Sequence, residues 1–273
     1  MTATPIRHPA VAGRFYPRDP EALREEVCAH LSRTPQQTPV RALGCIVPHA
    51  GYMYSGHVAG AVFARLEIPQ LCLVLCPNHT GVGRALAIFS EGAWETPLGN
   101  VPIDSEFAVA LKQRCPLLQE DSTAHHAEHA VEVELPFLQT RQPQLKFVPI
   151  VLGTGQFEPL AQLGDAIANV IAAQNRPVLI VASSDMNHYE SDAVTRVKDH
   201  SAIEPILAHD PRALYDVVTE QHISMCGFGP AVAMLTAVRK LGATSAELVK
   251  YATSGDISGD LDMVVGYAGI IIR

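Results

Sequence analysis

The chain has 273 residues, enough for a sizeable core arranged as one large α/β domain or two ordinary ones. Its 48% hydrophobic and 18% charged residues are those of a water-soluble globular protein, and a formal net charge of −8 argues against nucleic acid or an anionic membrane surface as main partner. No apolar run approaches the roughly 20 residues of a membrane span, and Met1–Arg7 lacks the apolar core of a signal peptide. The six cysteines form no C-x-x-C pair, which leaves a reducing cytoplasm as the expected location.

In chain order, residues 1–17 read as an irregular arm packed on the remainder. Asp19-Pro20-Glu21 opens a helix that runs to about Leu31, since it joins a capping carboxylate, a first-turn proline and an early acid. A Pro/Gln linker, Thr34 to Pro39, follows. The apolar run Ala42 to Val47 reads as a buried strand that stops at Pro48 and delivers His49 into a Gly-bearing loop before a helix from about Gly56 to Leu66. Leu71 to Cys76 has the continuous apolarity of a central strand covered on both faces, and it ends in Pro77-Asn78-His79. Arg84 to Phe89 reads as a strand, Gly92 to Val101 as a turn-rich connection carrying Trp94, and Asp104 as the cap of a helix to about Arg114.

A histidine cluster, Ala124-His125-His126-Ala127-Glu128-His129, precedes a helical segment from Val131 to Leu138. Lys146 to Leu152 is a strand, Glu158 to Ala173 an amphipathic helix, and Val178 to Ala182 a strand feeding Ser183-Ser184-Asp185-Met186-Asn187-His188. Ser191 to Gln221 is helical with a break at Asp210-Pro211, and Cys226-Gly227 precedes a helix to about Lys240. Two strands, Glu247 to Ala252 and Val264 to Ile272, flank a turn-rich loop that holds Asp256 and Asp260. Alternating strands and helices predict a single α/β domain over residues 1–273, with a largely buried sheet flanked by helices.

The chemistry gathers at strand ends. If the strands are parallel, His49, His79 and the Asp185/His188 pair emerge on one edge of the sheet, where open α/β sheets bind ligands. Converging neutral imidazoles are common metal ligands. Cys226 stands beside glycine just before a helix, where the helix dipole is expected to favour its thiolate. Two histidines and a thiolate suit iron, copper or zinc. His125-x-x-Glu128-His129 also matches the H-x-x-E-H pattern of inverted zinc proteases, although a polar stretch precedes it; otherwise Glu128 and His129 border the main pocket. His188, oriented by Asp185, is the expected general acid/base, and Tyr52, Tyr54 and Asp256 are expected to line the pocket.

Taken together, the motifs Val11-Ala12-Gly13-x-Phe15-Tyr16-Pro17, Pro48-His49-Ala50-Gly51-Tyr52-Met53-Tyr54-Ser55-Gly56, Pro77-Asn78-His79, Glu128-His129, Leu135-Pro136-Phe137, Ser183-Ser184-Asp185-Met186-x-His188-Tyr189, Cys226-Gly227 and Thr253-Ser254-Gly255-Asp256 resemble the Memo family along essentially the whole chain. The resemblance implies a fold similar to class III extradiol dioxygenases. It also implies one divalent or redox metal bound by His49, His79 and Cys226, with Asp185 and His188 nearby. The chain departs from the family pattern at Arg14, Cys76 and Asn187, none of them an implied ligand. Extradiol dioxygenases use two histidines and a carboxylate, so a thiolate in third place does not carry ring cleavage with it. The expectation is a metal-binding protein with a dioxygenase-like pocket, an oxidoreductase if it is an enzyme. The alternatives are a non-catalytic module holding a small molecule or peptide in the same cleft, and a metal-dependent hydrolase.

Overall fold

The apolar runs form the middle of one sheet. The structure, a computed structural model, describes residues 5–33 and 38–273, so the expected linker falls partly outside it. The first half contains β1 (Ile6–Arg7), α1 (Pro20–Ser32), β2 (Gly44–Val47), α2 (Tyr52–Arg65), β3 (Leu71–Pro77), β4 (Leu86–Ile88), β5 (Ala93–Thr96), β6 (Gly99–Pro102) and α3 (Ser105–Arg114). Next come β7 (Gln119–Glu120), α4 (Thr123–His126), a 3-10 turn (Glu132–Glu134), α5 (Leu135–Arg141), β8 (Lys146–Leu152), α6 (Phe157–Ala172) and β9 (Val178–Ser183). The chain closes with β10 (His188–Glu190), α7 (Asp192–Leu207), α8 (Pro211–Glu220), α9 (Phe228–Lys240), β11 (Ala246–Thr253), α10 (Gly255–Ser258) and β12 (Val264–Ile272).

Among the described residues nine strands make the main sheet, in the order β10-β12-β2-β9-β3-β8-β4-β7 with β11 also paired to β12. Its centre, β2-β9-β3-β8, is parallel, with Val47 opposite Ser183 and Leu75 opposite Ala182. The carboxyl ends of β2, β3 and β9 therefore leave the sheet on one edge, as the strand-end histidines require. Strand periodicity divides the core into two layers. Leu71, Leu73 and Leu75 face the layer holding α3, α6 and α9, while Cys72, Val74 and Cys76 face that holding α1, α2 and α5. Cys45, Cys72 and Cys76 are thus buried core residues.

Two segments differ from expectation. Gly92 to Val101 contains the β5–β6 hairpin, to which β1 of the arm adds in parallel, making a separate three-stranded sheet. Its strands are two to four residues long, too short for an alternation to show in the sequence. Helix α2 starts four residues earlier than expected, at Tyr52, because Gly51 ends the loop and Tyr52 is itself a core residue. Among the described residues no helix is long and apolar enough to cross a membrane.

Helices α1 and α2 approach closely because α2 presents glycines to His30 of α1. A Cβ at Gly60 would lie 2.8 Å from the His30 backbone carbonyl. Backbone cannot swing aside as a side-chain tip can, so Gly60→Ala forces the helices apart. A loss of about 1–3 kcal/mol, typical of overpacking, is expected in urea unfolding at neutral pH.

Candidate metal centre

Three loops bring three imidazoles together. His49 follows β2, His79 follows β3, and His129 lies in the loop between α4 and the 3-10 turn. One ring nitrogen from each lies within 4.8 Å of the others. The rings of His79 and His129 are stacked with centroids 4.7 Å apart, and His49 meets both edge-on at 5.1 and 5.4 Å.

Each ring is held from behind. His49 Nδ1 lies 2.8 Å from Ser183 Oγ at the end of β9, so the β2–β9 register that sets Val47 opposite Ser183 also fixes this contact. The Glu128 carboxylate, fully buried, holds His79 at Nδ1 (2.9 Å) and accepts the His79 amide (2.7 Å). It also accepts the amides of His129 (2.8 Å) and Ala130 (3.0 Å), with His129 Nδ1 3.3 Å away. Burial works against this carboxylate, but His79, the Ala130 amide and His129 outweigh it and hold its pKa below the usual range. Burial likewise acts to lower His79, and the hydrogen bond and charge of Glu128 reverse it, leaving His79 raised. Burial keeps His49 far below the usual histidine pKa, and takes His129 down to about 4.

Cys226 adjoins the cluster without belonging to its triad: Sγ lies 3.3 Å from His49 Nε2 and 3.6 Å from the Asp185 carbonyl oxygen. The expected lowering of its pKa is not found. Burial, with Asp185 beside it, raises the thiol well above its usual value and outweighs the Gly227 amide at the start of α9. Asp185 is not the orienting partner of His188 either. Its Oδ1 accepts the His49 amide at 2.8 Å, pinning the β2 loop, and burial raises its pKa to about 6. His188 is oriented by Ser224 instead, whose carbonyl lies 2.9 Å from Nδ1 and whose hydroxyl accepts the His188 amide at 2.7 Å.

The remaining expected pocket residues are dispersed. Tyr52 is a core residue whose hydroxyl donates to the Val133 carbonyl at 2.7 Å, so it has no hydroxyl free for a substrate. Tyr54 lines a cavity of about 380 Å³ with Ser254, Met263, Val265 and Tyr267. Asp256 accepts the Thr253 amide (2.8 Å) and an Arg196 guanidinium N–H (2.8 Å), which makes it a turn and ion-pair residue. The H-x-x-E-H reading does not hold. Helix α4 ends at His126, and His125 is turned away, fully buried between Phe89 and Trp94 with neither ring nitrogen hydrogen-bonded.

Sequence reasoning missed two buried carboxyl groups, Glu132 and Glu134. Glu132 accepts from Arg7 (2.5 Å), the Tyr16 hydroxyl (2.6 Å) and the amides of Ala10 (2.8 Å) and Val11 (3.0 Å), anchoring the arm beneath the cluster. Arg7 in turn reaches the carbonyls of His125 and Glu128 and lies 4.2 Å over the Trp94 ring. The available signal was Glu-Val-Glu set between Val131 and Leu135, acids inside an otherwise apolar run.

An α/β fold with histidines converging at the carboxyl edge of a parallel sheet defines a candidate metal-binding protein, and comparison with known proteins gives its family. The family model described as Memo-like protein matches residues 7–271. A MEMO1 family protein of Methanopyrus kandleri is 44% identical, the match covering 98% of this chain and 99% of that one. Another from Methanothermobacter thermautotrophicus is 43% identical over 96% of this chain and 99% of its own. The chain belongs to the Memo family. In fold it is similar to the crystal structure of an uncharacterized protein of Escherichia coli K12, with TM-score 0.57 and 14% identity over 83% of this chain and 99% of that chain.

Two outcomes follow from the charges. With Glu128→Gln the carboxylate that raises His79 is gone while its burial remains, so the His79 pKa should fall below the wild-type value in an NMR titration of metal-free protein. A value unchanged from wild type would show that the Glu128 contact is absent in solution. His125 has its pKa lowered by burial from 6.5 to about 4. The unfolded chain therefore takes up a proton between these values that the folded chain refuses, and this contribution to stability is lost as pH falls from about 6.5 toward 4. In urea unfolding, the stability of His125→Phe relative to wild type should rise over that window and level off below it.

Proposed function

We propose that this protein binds one divalent or redox-active metal ion at the His49/His79/His129 cluster and uses it in oxidoreductase chemistry on a small molecule or peptide. The observation that supports this most is the convergence of three imidazole nitrogens within 4.8 Å. The donor set fits an ion. Ser183 and Glu128 occupy the Nδ1 sides of His49 and His79, leaving each Nε2 available, and burial keeps His49 and His129 neutral. Cys226, adjacent to His49 Nε2, adds a soft donor, and a nitrogen set with one sulfur suits iron or copper, with zinc as the redox-inert occupant. Bound there, such an ion would supply electron transfer or Lewis acidity.

The chain's own residues supply positioning and proton handling. Glu128 orients His79, and the Asp185 carboxylate fixes the backbone that carries His49. With Nδ1–H donated to the Ser224 carbonyl, His188 keeps a lone pair on Nε2 and serves as general base toward a bound ligand. Asp185, raised to about 6, sits where a carboxyl group can exchange a proton near neutral pH.

Metal analysis of anaerobically purified protein tests the reading. Wild type and His125→Ala should carry stoichiometric metal, and His79→Ala should lose it, with His129→Ala and Cys226→Ser each binding more weakly than wild type. Equal trace metal in all five proteins would end the proposal. Oxygen uptake by the iron-loaded protein on addition of substrate separates redox chemistry from hydrolysis or simple binding.

A further inference from the structure

A carboxyl group lies beneath His49 that the metal-centre chemistry leaves unused. Glu134, in the 3-10 turn, is fully buried. Its Oε1 lies 2.8 Å from Ser183 Oγ, and its Oε2 has no hydrogen-bond partner among the described residues. The same Ser183 hydroxyl lies 2.8 Å from the Ala130 carbonyl oxygen and 2.8 Å from His49 Nδ1. The neighbouring charge is that of Asp185, of the sign that opposes ionisation of Glu134.

Three short contacts meet at one hydroxyl, and a hydroxyl has one proton to give and two lone pairs to receive. The Ala130 carbonyl can only accept, so it takes the serine proton. The other two contacts are satisfied only if both Glu134 and His49 donate to Ser183 Oγ. An ionised Glu134 would instead compete with Ala130 for the single proton. It would leave two acceptors facing at 2.8 Å and a bare carboxylate oxygen in the core. Burying an uncompensated charge is far more costly than burying one uncharged carbonyl oxygen.

We propose that Glu134 is a permanently neutral carboxylic acid and a positioning residue, which donates to Ser183 and thereby fixes His49 as the Nδ1–H tautomer with its Nε2 lone pair on the side of Cys226. Two further observations agree. Burial, reinforced by Asp185, pushes the Glu134 carboxyl well up. Cys226 Sγ lies 3.3 Å from His49 Nε2, a contact satisfied when the thiol donates to that lone pair. The consequence for ligation rests on the metal reading above; the protonation states do not.

The test uses the full chain, first without metal. The infrared difference spectrum between wild type and Glu134→Gln should show loss of a protonated-carboxyl C=O band. Loss of an ionised-carboxylate band would overturn the proposal. Independently of any Glu134 variant, a long-range 1H–15N spectrum of the wild type, with the His49 signal assigned by its disappearance in His49→Ala, should show Nδ1 protonated and Nε2 bare. The opposite tautomer would also overturn the proposal. Glutamine keeps an N–H donor toward Ser183 and alanine does not. Zinc affinity measured by competition should therefore stay close to wild type in Glu134→Gln and fall about tenfold in Glu134→Ala. Equal affinity in all three would remove Glu134's part in positioning. A wild type that binds no zinc, iron or copper would sink the metal reading, while the two spectra would still decide the state of Glu134.

Discussion

The structure around the histidines depends on seven residues, Glu128 to Glu134, that bury three carboxyl groups in three directions. Glu128 turns to the β3 loop and holds His79, Glu132 turns to the N-terminal arm and holds Arg7 and Tyr16, and Glu134 turns to the end of β9 and meets Ser183. A buried carboxylate is costly unless hydrogen bonds and a countercharge compensate it. Glu128 and Glu132 are compensated by amides together with His79 and Arg7 respectively, whereas Glu134 has neither amide nor cation among the described residues and stays neutral. One short segment thus ties the arm, two sheet strands and the cluster together, and its partners differ in charge because their surroundings do.

The sheet makes this possible. Parallel pairing of β2, β9 and β3 sends their carboxyl ends to one edge, so residues 49, 79 and 183 meet although they are far apart in sequence. Only the backbone register is needed for that, and register in a fully buried strand is strongly specified by its apolar side chains. Two further features keep the loops in place. The Asp185 carboxylate accepts the His49 amide, and Asp199, buried behind it, accepts the Asn187 amide at 2.8 Å and the Tyr251 hydroxyl at 2.7 Å. The β9 loop is fastened on both sides, and its histidine, His188, is aimed by Ser224.

Much of this was legible in the sequence for a simple reason. A central strand reads as a continuous apolar run, and the residue that breaks the run marks its end; Lys146–Leu152 and Val264–Ile272 fall where expected. His49 and His79 stood out because each directly follows such an end. His129 reads from sequence as a residue bordering the pocket but not as the third ring, since it sits in an irregular loop whose course is set by Glu128, and long-range hydrogen bonds leave no periodic trace. Its neighbour His125 carried the recognisable spacing yet packs as an aromatic residue. Cys226 lies beside the cluster as its motif suggests, but its ionisation departs from the helix-start expectation: the dipole is a small effect, and desolvation next to Asp185 is a larger one. Tyr52 and Asp256 failed for a shared reason. A polar tip in a motif says nothing about whether a carbonyl such as that of Val133, or a guanidinium such as that of Arg196, has already taken it.

The three imidazoles are not equivalent, and the difference has a direction. His49 and His129 are kept neutral by burial, so a cation arriving at either displaces no proton. His79 alone is raised, by a carboxylate that also makes its ring a better donor. A proton and a metal ion therefore compete for His79 Nε2 under the same field, and Glu128 favours whichever positive charge is there. The two neutral rings set where an ion would sit, and the Glu128–His79 pair sets how strongly that position attracts it. In this division the Glu128 carboxylate, rather than the Cys226 thiol beside His49, is the element that would tune the site.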